Sequence, residues 1–140
     1  MATRSRIGIE LKDGSVLSVY HHWDGYPEWL GQQLVEHYNT RDKVVELIDG
    51  GDMSVCWTKD RWDGKEAEEY GPQYYSQRGE DCPPILHANM DEYLDKDNNE
   101  EYGYVYTSAG WVCYDMHSFD YRKSPERVEI PAGKVKEGAI

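Results

Sequence analysis

The chain has 140 residues, and its 27 acidic against 15 basic side chains give a formal net charge of −12 at pH 7. This length suits one domain, residues 1–140, that can bury a hydrophobic core without metals or disulfides. Aromatic residues make up 13% of the chain, whereas disordered acidic chains are poor in them. We therefore expect an ordered acidic protein with a frayed tail at residues 131–140.

The same figures exclude several classes of protein. The chain holds no run of 18 apolar residues, and its first residues lead into a strand pattern instead of a signal-peptide core, so we expect a cytoplasmic protein without a membrane partner. Cys56, Cys82 and Cys113 are too few for a disulfide framework and are predicted to be free thiols. The net charge opposes binding to long nucleic acids. A small anion is not excluded, because screening over about 8 Å lets nearby arginines outweigh distant carboxylates.

The N-terminal part of the chain has the pattern of a β-hairpin. Residues 6–11 alternate with a period of two, and residues 15–21 are rich in β-branched and aromatic types. Asp13-Gly14 between these runs is a strong hairpin signal, because glycine accepts the positive φ that the turn requires. The loop that follows ends at Pro27, a residue well suited to the start of a helix.

Two short helices are predicted next. Apolar residues recur at helical spacing from Pro27 to residue 38, and a second helix begins after the N-cap candidate Thr40 and ends at Asp49-Gly50-Gly51. The first apolar face contains Leu30, Leu34, Val35 and Tyr38, and the second contains Val44, Val45, Leu47 and Ile48.

The rest of the chain adds strands around a polar centre. We predict a short strand at residues 53–57 and only short irregular elements over residues 58–99, among them a helical turn or two at residues 89–94. The β-prone runs at residues 101–107 and 111–116 predict a second hairpin. A last strand, at an edge of the sheet, is predicted at 127–130. These elements indicate an α+β fold, a mostly antiparallel sheet built from N- and C-terminal hairpins and covered by a short helical pair.

The tripeptide Trp-Asp-Gly occurs twice, at residues 23–25 and 62–64. The second copy is interpreted as a turn covered by its tryptophan. The first lies at a strand-to-helix junction, where backbone N–H groups can hold a phosphate or carboxylate and flat rings can stack on a base, at about 1–3 kcal/mol per base. Two interpretations stay open here, a ligand site that uses Trp23, Tyr26 and Trp29, and an aromatic plug that closes the end of the core.

Metal and catalytic chemistry are not expected. His21 and His22 are adjacent on a strand and point to opposite faces, and neither an HExxH motif nor paired CxxC spacing occurs. No histidine near the cysteines marks an activated nucleophile. We therefore expect neither an enzyme nor a protein with a metal or cofactor. Residues 91–101, which contain six acids, are interpreted as a solvated face.

The central tyrosines suggest a binding loop. Tyr70, Tyr74 and Tyr75 precede Arg78-Gly79-Glu80, and tyrosine gives large contact area at low entropic cost while arginine meets anions through a planar fork. A solvated loop is the alternative interpretation. The basic residues closest in sequence to the aromatic clusters are Arg4, Arg6, Lys43, Arg61 and Arg78.

Residues 22–28 read His-Trp-Asp-Gly-Tyr-Pro-Glu, with accompanying matches from Arg4 to residue 57 and weaker ones at residues 78–80 and in the last hairpin. With this core the chain resembles a widespread family of small bacteriophage proteins. It is similar to viral sponge proteins that sequester the cyclic-dinucleotide signals of CBASS-type bacterial defence. The resemblance implies a host-cytoplasmic counter-defence protein that holds a small cyclic nucleotide without cleaving it.

The first hypothesis joins this resemblance to the residues. A sponge requires only tight binding, and we predict that three aromatic side chains stack on bases and three arginines hold phosphates. These residues are Trp23, Tyr26, Trp29, Arg4, Arg6 and Arg78.

Two other hypotheses remain open. The net charge of −12 suggests an acidic protein-binding inhibitor that mimics DNA and blocks a host nucleic-acid enzyme. A structural phage protein without a ligand is the third hypothesis. Self-association into a homo-oligomer is a further expectation, because exposed aromatic residues suit a ligand cage between subunits.

Overall fold

An eight-stranded, mostly antiparallel sheet forms the centre of the protein, in a computed structural model that describes residues 3–95, 100–117, 120 and 122–131. The order of hydrogen-bonded strands is β4-β3-β2-β1-β6-β7-β8, and β5 pairs with β2. The predicted α+β class is therefore confirmed. The strands are β1 (Ser5–Glu10), β2 (Val16–His21), β3 (Met53–Asp60), β4 (Glu66–Tyr74), β5 (Ile85–His87), β6 (Tyr102–Thr107), β7 (Gly110–Asp115) and β8 (Glu126–Val128).

Both predicted hairpins are present. β1 and β2 pair antiparallel in a register that sets Ser5 opposite His21 and Glu10 opposite Val16, and Gly14 in their turn has a φ of 88°. β6 and β7 pair antiparallel around a turn that ends at Gly110, and β8 pairs with β7 at the edge of the sheet, as expected. Of the tail expected to fray, residues 132–140 lie outside the described residues.

Two helices cover one face of the sheet, as predicted. A turn of π-helix over Pro27–Gly31 leads into α1 (Gln32–His37). The next helix, α2 (Arg41–Asp49), begins at Thr40, whose side chain accepts a hydrogen bond of 3.3 Å from the backbone N–H of Lys43. The apolar faces are narrower than expected, because Val35 and Val45 are exposed by 45% and 48%. The other predicted members are buried: Leu30, Leu34, Tyr38, Val44, Leu47 and Ile48.

The centre of the chain is more regular than the sequence indicated. Over residues 58–74 the structure has a long antiparallel ribbon instead of short irregular elements, because β3 continues to Asp60 and pairs with β4, with several register shifts that mark bulges. Short elements of the predicted kind follow this ribbon, among them a 3-10 turn over Tyr75–Arg78 and β5. Trp62-Asp63-Gly64 makes the turn of the β3–β4 ribbon, with φ of 80° at Gly64, so the turn predicted for the second tripeptide is confirmed. The predicted helical turn is α3 (Met90–Tyr93). Cross-strand pairing thus overrides the weak β-propensity of the glutamate-rich β4.

Parallel pairing joins the two hairpins. β1 pairs parallel with β6, from Ser5 opposite Tyr102 to Ile9 opposite Tyr106, and β2 meets β3 in parallel at His21 and Met53. The N-terminal hairpin therefore occupies the middle of the sheet. These long-range pairings were not predicted, because strand periodicity specifies a strand but not its partner.

The core lies mainly between the sheet and the helices. There Ile7, Ile9 and Val19 of the central strands pack with the buried faces of α1 and α2. A smaller cluster, formed by Val16, Tyr93, Val105 and Val112, covers part of the opposite face below α3. The rest of that face, beyond the end of β2, is where the candidate site lies.

Candidate functional site

The end of β2 sends two adjacent histidines to opposite faces, as the strand pattern predicts. His21 is fully buried on the helical side, where its Nε2 accepts a hydrogen bond of 3.0 Å from the backbone N–H of Cys56. Burial lowers the pKa of His21 to about 3. This histidine is therefore neutral and structural at physiological pH.

His22 belongs to a cluster on the other face. Its Nδ1 lies 2.8 Å from the Tyr20 hydroxyl, and its ring meets Trp23 edge-to-face with centroids 4.6 Å apart. The backbone N–H groups of His22 and Trp23 donate to the carbonyls of Met53 and Ser54 at 3.2 and 3.0 Å. The cluster is therefore anchored to β3 through the main chain, while 46% of Trp23 remains exposed.

Arg4 supplies a positive charge to this cluster. Burial raises the pKa of Tyr20 to about 12, and the nearby Arg4 opposes that rise. The pKa of His22 is lowered, first by burial and then by the charge of Arg4. Arg4 itself is exposed, and its guanidinium makes no ion pair with any residue in the described ranges. An exposed arginine next to aromatic rings is suitable chemistry for an anionic aromatic ligand.

Asp52 connects this cluster to the segment after β4. Its Oδ1 accepts a hydrogen bond of 2.9 Å from the backbone N–H of Tyr20, and its carbonyl accepts one of 3.1 Å from the N–H of Tyr75. Burial raises the pKa of this half-buried carboxyl, against the effect of the Tyr20 hydrogen bond. The residue thus places Tyr75 beside the end of β2.

Tyr75 begins a second group of stacked side chains. Its ring stacks on Trp62 with centroids 5.8 Å apart at 29°, and the Arg78 guanidinium lies 4.5 Å from the Trp62 ring and 5.4 Å from Tyr75. The Trp62 indole N–H donates a hydrogen bond of 2.9 Å to the carbonyl of Tyr74, which folds the turn of the ribbon back over this group. Arrangements of this kind combine stacking with cation–π attraction.

The charge of Arg78 is shared with a carboxylate. Its Nε donates a hydrogen bond of 2.7 Å to Glu80, and its Nη2 contacts the same carboxylate oxygen. Nη1 forms no hydrogen bond within the part of the chain that the structure describes. Together the two groups form what we call the aromatic–arginine surface, defined by Arg4, Tyr20, His22, Trp23, Trp62, Tyr75 and Arg78.

Three of the six predicted ligand residues belong to this surface, and Tyr26, Trp29 and Arg6 are not among the residues that define it. Trp23, Arg4 and Arg78 are in it. Trp29 packs against the core on the helical side, with its ring 6.4 Å from that of His21.

The main chain of Tyr26 and the side chain of Arg6 have structural partners. The Tyr26 carbonyl accepts hydrogen bonds from the N–H groups of the π-helical turn at Pro27–Gly31. Arg6 is only 8% exposed, and its guanidinium contacts Ser18 at 2.9 Å and Glu100 at 3.5 Å. A ligand phosphate would have to displace Glu100 from Arg6.

Tyr20, His22 and Trp62 were missed as site residues. Tyr20 and His22 are two apart on one strand and so share a face, which is a signal present in the sequence. Trp62 carried no comparable signal, because its approach to Arg78 depends on the folding back of the β3–β4 ribbon. Tyr75 belongs to the central segment that the sequence indicates as either a binding loop or a solvated loop.

A cleft beside Trp62 has the opposite chemistry. Its volume is about 440 Å³, and it lies against the β3–β4 ribbon. The lining includes the carboxylates of Asp60, Asp63 and Glu69, with Arg61 paired to Asp63 at 3.6 Å. These charges repel anions, so the cleft itself does not suit an anionic ligand, although it shares Trp62 with the aromatic–arginine surface.

The three cysteine thiols are not activated as nucleophiles. Burial raises the pKa of Cys56 and raises that of Cys113 to about 12, and the pKa of Cys82 is raised by burial and by neighbouring carboxylates, Asp52 first. Among the described residues, no group of three metal-ligating side chains is placed to hold an ion. In the same part of the chain, no helix has the length and apolarity to cross a membrane.

Comparison with known proteins places this chain in no established family. No family model matches it, and no curated protein or solved structure is significantly similar to it. The resemblance to small bacteriophage proteins, carried by residues 22–28, therefore stays a prediction.

Proposed function

We propose that the protein binds and sequesters a cyclic nucleotide, a cyclic dinucleotide above all, at the aromatic–arginine surface without cleaving it. The observation that carries the proposal is the exposed Arg4, which has no ion pair among the described residues and lies beside the Tyr20–His22–Trp23 cluster. A nucleotide can stack its base on Trp23 while its phosphate binds the guanidinium of Arg4. Stacking on an aromatic side chain contributes about 1–3 kcal/mol per base.

The second group supports a ligand with more than one base or phosphate. Trp62 and Tyr75 present another pair of rings, and Arg78 presents a second guanidinium whose Nη1 has no hydrogen bond among the described residues. Asp52 holds the two groups beside each other, because its carboxylate accepts a hydrogen bond from the Tyr20 N–H and its carbonyl accepts one from the Tyr75 N–H. A prebuilt surface of this kind reduces the ordering cost of binding.

The state of the thiols favours binding over nucleophilic chemistry. A thiolate is the reactive form of cysteine, and raised pKa values keep all three thiols protonated at neutral pH. The sequestering role in phage counter-defence follows from the resemblance of the motif at residues 22–28. In that role the protein acts in the host cytoplasm and lowers the free concentration of the signal.

The direct test is calorimetric titration of the purified protein with a panel of cyclic di- and trinucleotides. We expect saturable heat with at least one of them, and intact nucleotide by mass spectrometry after denaturation of the complex. Arg4→Gln and Trp23→Ala should each weaken binding about fivefold or more, because each removes an interaction of about 1–3 kcal/mol.

Matched controls separate these effects from general loss of charge or aromatic area. Arg122→Gln removes the same charge at a side chain that is 91% exposed, and Tyr70→Ala removes an aromatic ring that stacks on Trp57 instead. Both should bind like the wild type. Absence of both heat and thermal shift with the whole panel would contradict the proposed function.

A second candidate function is the acidic inhibitor that mimics DNA. Glu66, Glu68 and Glu69 of β4 are exposed at an edge of the sheet, and such charges attract basic surfaces. For this function, host proteins should co-purify with the chain and dissociate steeply as salt rises. Recovery that does not change at high salt would count against it.

A further inference from the structure

We propose that His22 is the hydrogen-bond donor by which the aromatic–arginine surface selects its ligand, and that Tyr20 holds the His22 imidazole in the tautomer with its proton on Nε2. The inference deepens the proposed function and rests on it. The ligand group selected is a hydrogen-bond acceptor, either a base-edge oxygen or nitrogen or a phosphate oxygen.

The geometry begins with the contact between Tyr20 and His22. The phenol oxygen and Nδ1 are 2.8 Å apart, which is the distance of a good hydrogen bond. Burial raises the pKa of Tyr20 to about 12, so the phenol keeps its proton at neutral pH. Burial and Arg4 lower the pKa of His22, so the imidazole is neutral there.

A neutral imidazole has one N–H and one acceptor nitrogen. When the Tyr20 hydroxyl donates to Nδ1, the single proton of His22 lies on Nε2. The second nitrogen is then a donor with no hydrogen-bond partner among the described residues. A hydrogen bond at one ring nitrogen thus sets the chemistry of the other.

The donor is held in a fixed place. The N–H groups of His22 and Trp23 bond to β3, and the imidazole packs edge-to-face on the exposed Trp23 ring. Arg4 lies close enough to lower the pKa of His22. A planar ligand that stacks on Trp23 therefore meets the neutral N–H of His22 and the guanidinium of Arg4 at one site. Ligands that place a hydrogen-bond donor against the His22 N–H should bind less well than ligands that place an acceptor there.

The tautomer is tested without ligand by long-range ¹H–¹⁵N NMR of the imidazole at neutral pH. We expect His22 to show a protonated Nε2 and an unprotonated Nδ1 in the wild type. Tyr20→Phe should give a mixture of tautomers or the opposite one, with the backbone spectrum elsewhere unchanged. A wild-type spectrum with the proton on Nδ1 overturns the proposal.

The donor role is tested with a pair of amide variants in the same titrations with cyclic nucleotides. In His22→Gln the amide nitrogen takes the place of Nε2, whereas in His22→Asn it takes the place of Nδ1. We expect His22→Gln to bind within about threefold of the wild type and His22→Asn to bind roughly 3–10 times more weakly, the effect of one neutral hydrogen bond. A merely structural role for the ring predicts equal losses.

The outcomes distinguish the two proposals. Wild-type protein that binds no cyclic nucleotide contradicts the proposed function, and the donor role falls with it. Wild-type protein that binds, together with equal affinities for the two amide variants, contradicts only the role of His22.

Discussion

The Tyr104 hydroxyl donates a hydrogen bond of 2.7 Å to the backbone carbonyl of Gly25, across 79 residues of sequence. It joins the C-terminal hairpin to the loop that carries the motif of residues 22–28. Tyr104 is fully buried, and burial raises its pKa far above the ordinary value. The position of the loop that precedes the helices is therefore determined by a strand from the other end of the chain.

Removal of this hydroxyl should destabilise the protein. Tyr104→Phe leaves the Gly25 carbonyl without its buried partner, which costs about 1–3 kcal/mol. Urea unfolding measures the loss. Tyr106→Phe is the control, since Tyr106 is only partly buried and its hydroxyl has no hydrogen bond among the described residues. Equal stability of the two variants would show that the Gly25 bond contributes nothing.

Gly25 should tolerate no side chain. A Cβ there would lie 2.6 Å from the Thr3 carbonyl oxygen and 2.5 Å from the Ser5 hydroxyl, and the Gly25 N–H also donates to the Thr3 carbonyl at 2.9 Å. We expect Gly25→Ala to cost about 1–3 kcal/mol through this crowding. Gly71→Ala is the matched control, because a Cβ at Gly71 meets open space. Thermal unfolding that ranks Gly71→Ala below Gly25→Ala would refute the steric argument.

His21 should make stability fall on acidification. Its pKa is about 3 in the folded protein against an ordinary value of 6.5, so the unfolded chain binds a proton that the folded chain refuses. The contribution of His21 to the unfolding free energy is therefore constant at pH values well above 6.5. It falls by up to about 1.4 kcal/mol per pH unit as the pH drops towards 3. The measurement is urea unfolding at several pH values.

The comparison variant for this pH dependence is His21→Gln. Its amide oxygen can still accept the hydrogen bond from the Cys56 N–H, but it does not titrate. As the pH falls, the wild type should therefore lose more unfolding free energy than the variant does. A constant difference would mean that His21 does not titrate in this range.

Loss of one partner of the buried Arg6–Glu100 pair should destabilise the protein. Their side chains are 10% and 6% exposed and lie 3.5 Å apart, and burial raises the pKa of Glu100 while Arg6 opposes that rise. Arg6→Met leaves a buried carboxylate without a partner, which costs about 3–5 kcal/mol. The double variant Arg6→Met/Glu100→Leu should recover part of the loss.

The variant Arg6→Met also tests the prediction that Arg6 binds a phosphate of the ligand. A stabilising role predicts lower unfolding free energy for Arg6→Met. A phosphate-binding role predicts a loss of nucleotide affinity with little change in stability. Arg122→Gln, at an exposed side chain, should change stability by no more than about 0.5 kcal/mol.

Local signals predicted most of the fold. The Asp13-Gly14 turn, the Thr40 cap and the hairpin at Gly110 depend on neighbouring residues only, and each was found where the sequence placed it. The β3–β4 ribbon was missed beyond residue 57, because bulges break its alternation and its glutamates have low strand propensity.

By itself the sequence determined the fold class, both hairpins, the two helices and the opposite directions of His21 and His22, since all of these follow from periodicities of the local backbone. Only the tertiary structure decided which aromatic and basic side chains meet. It brought Trp23 and Arg4 together with Tyr20 and His22, carried Arg78 onto Trp62, and buried Arg6 against Glu100. These meetings depend on parallel strand pairing and on a folded-back ribbon, contacts between residues far apart in sequence that no local pattern encodes.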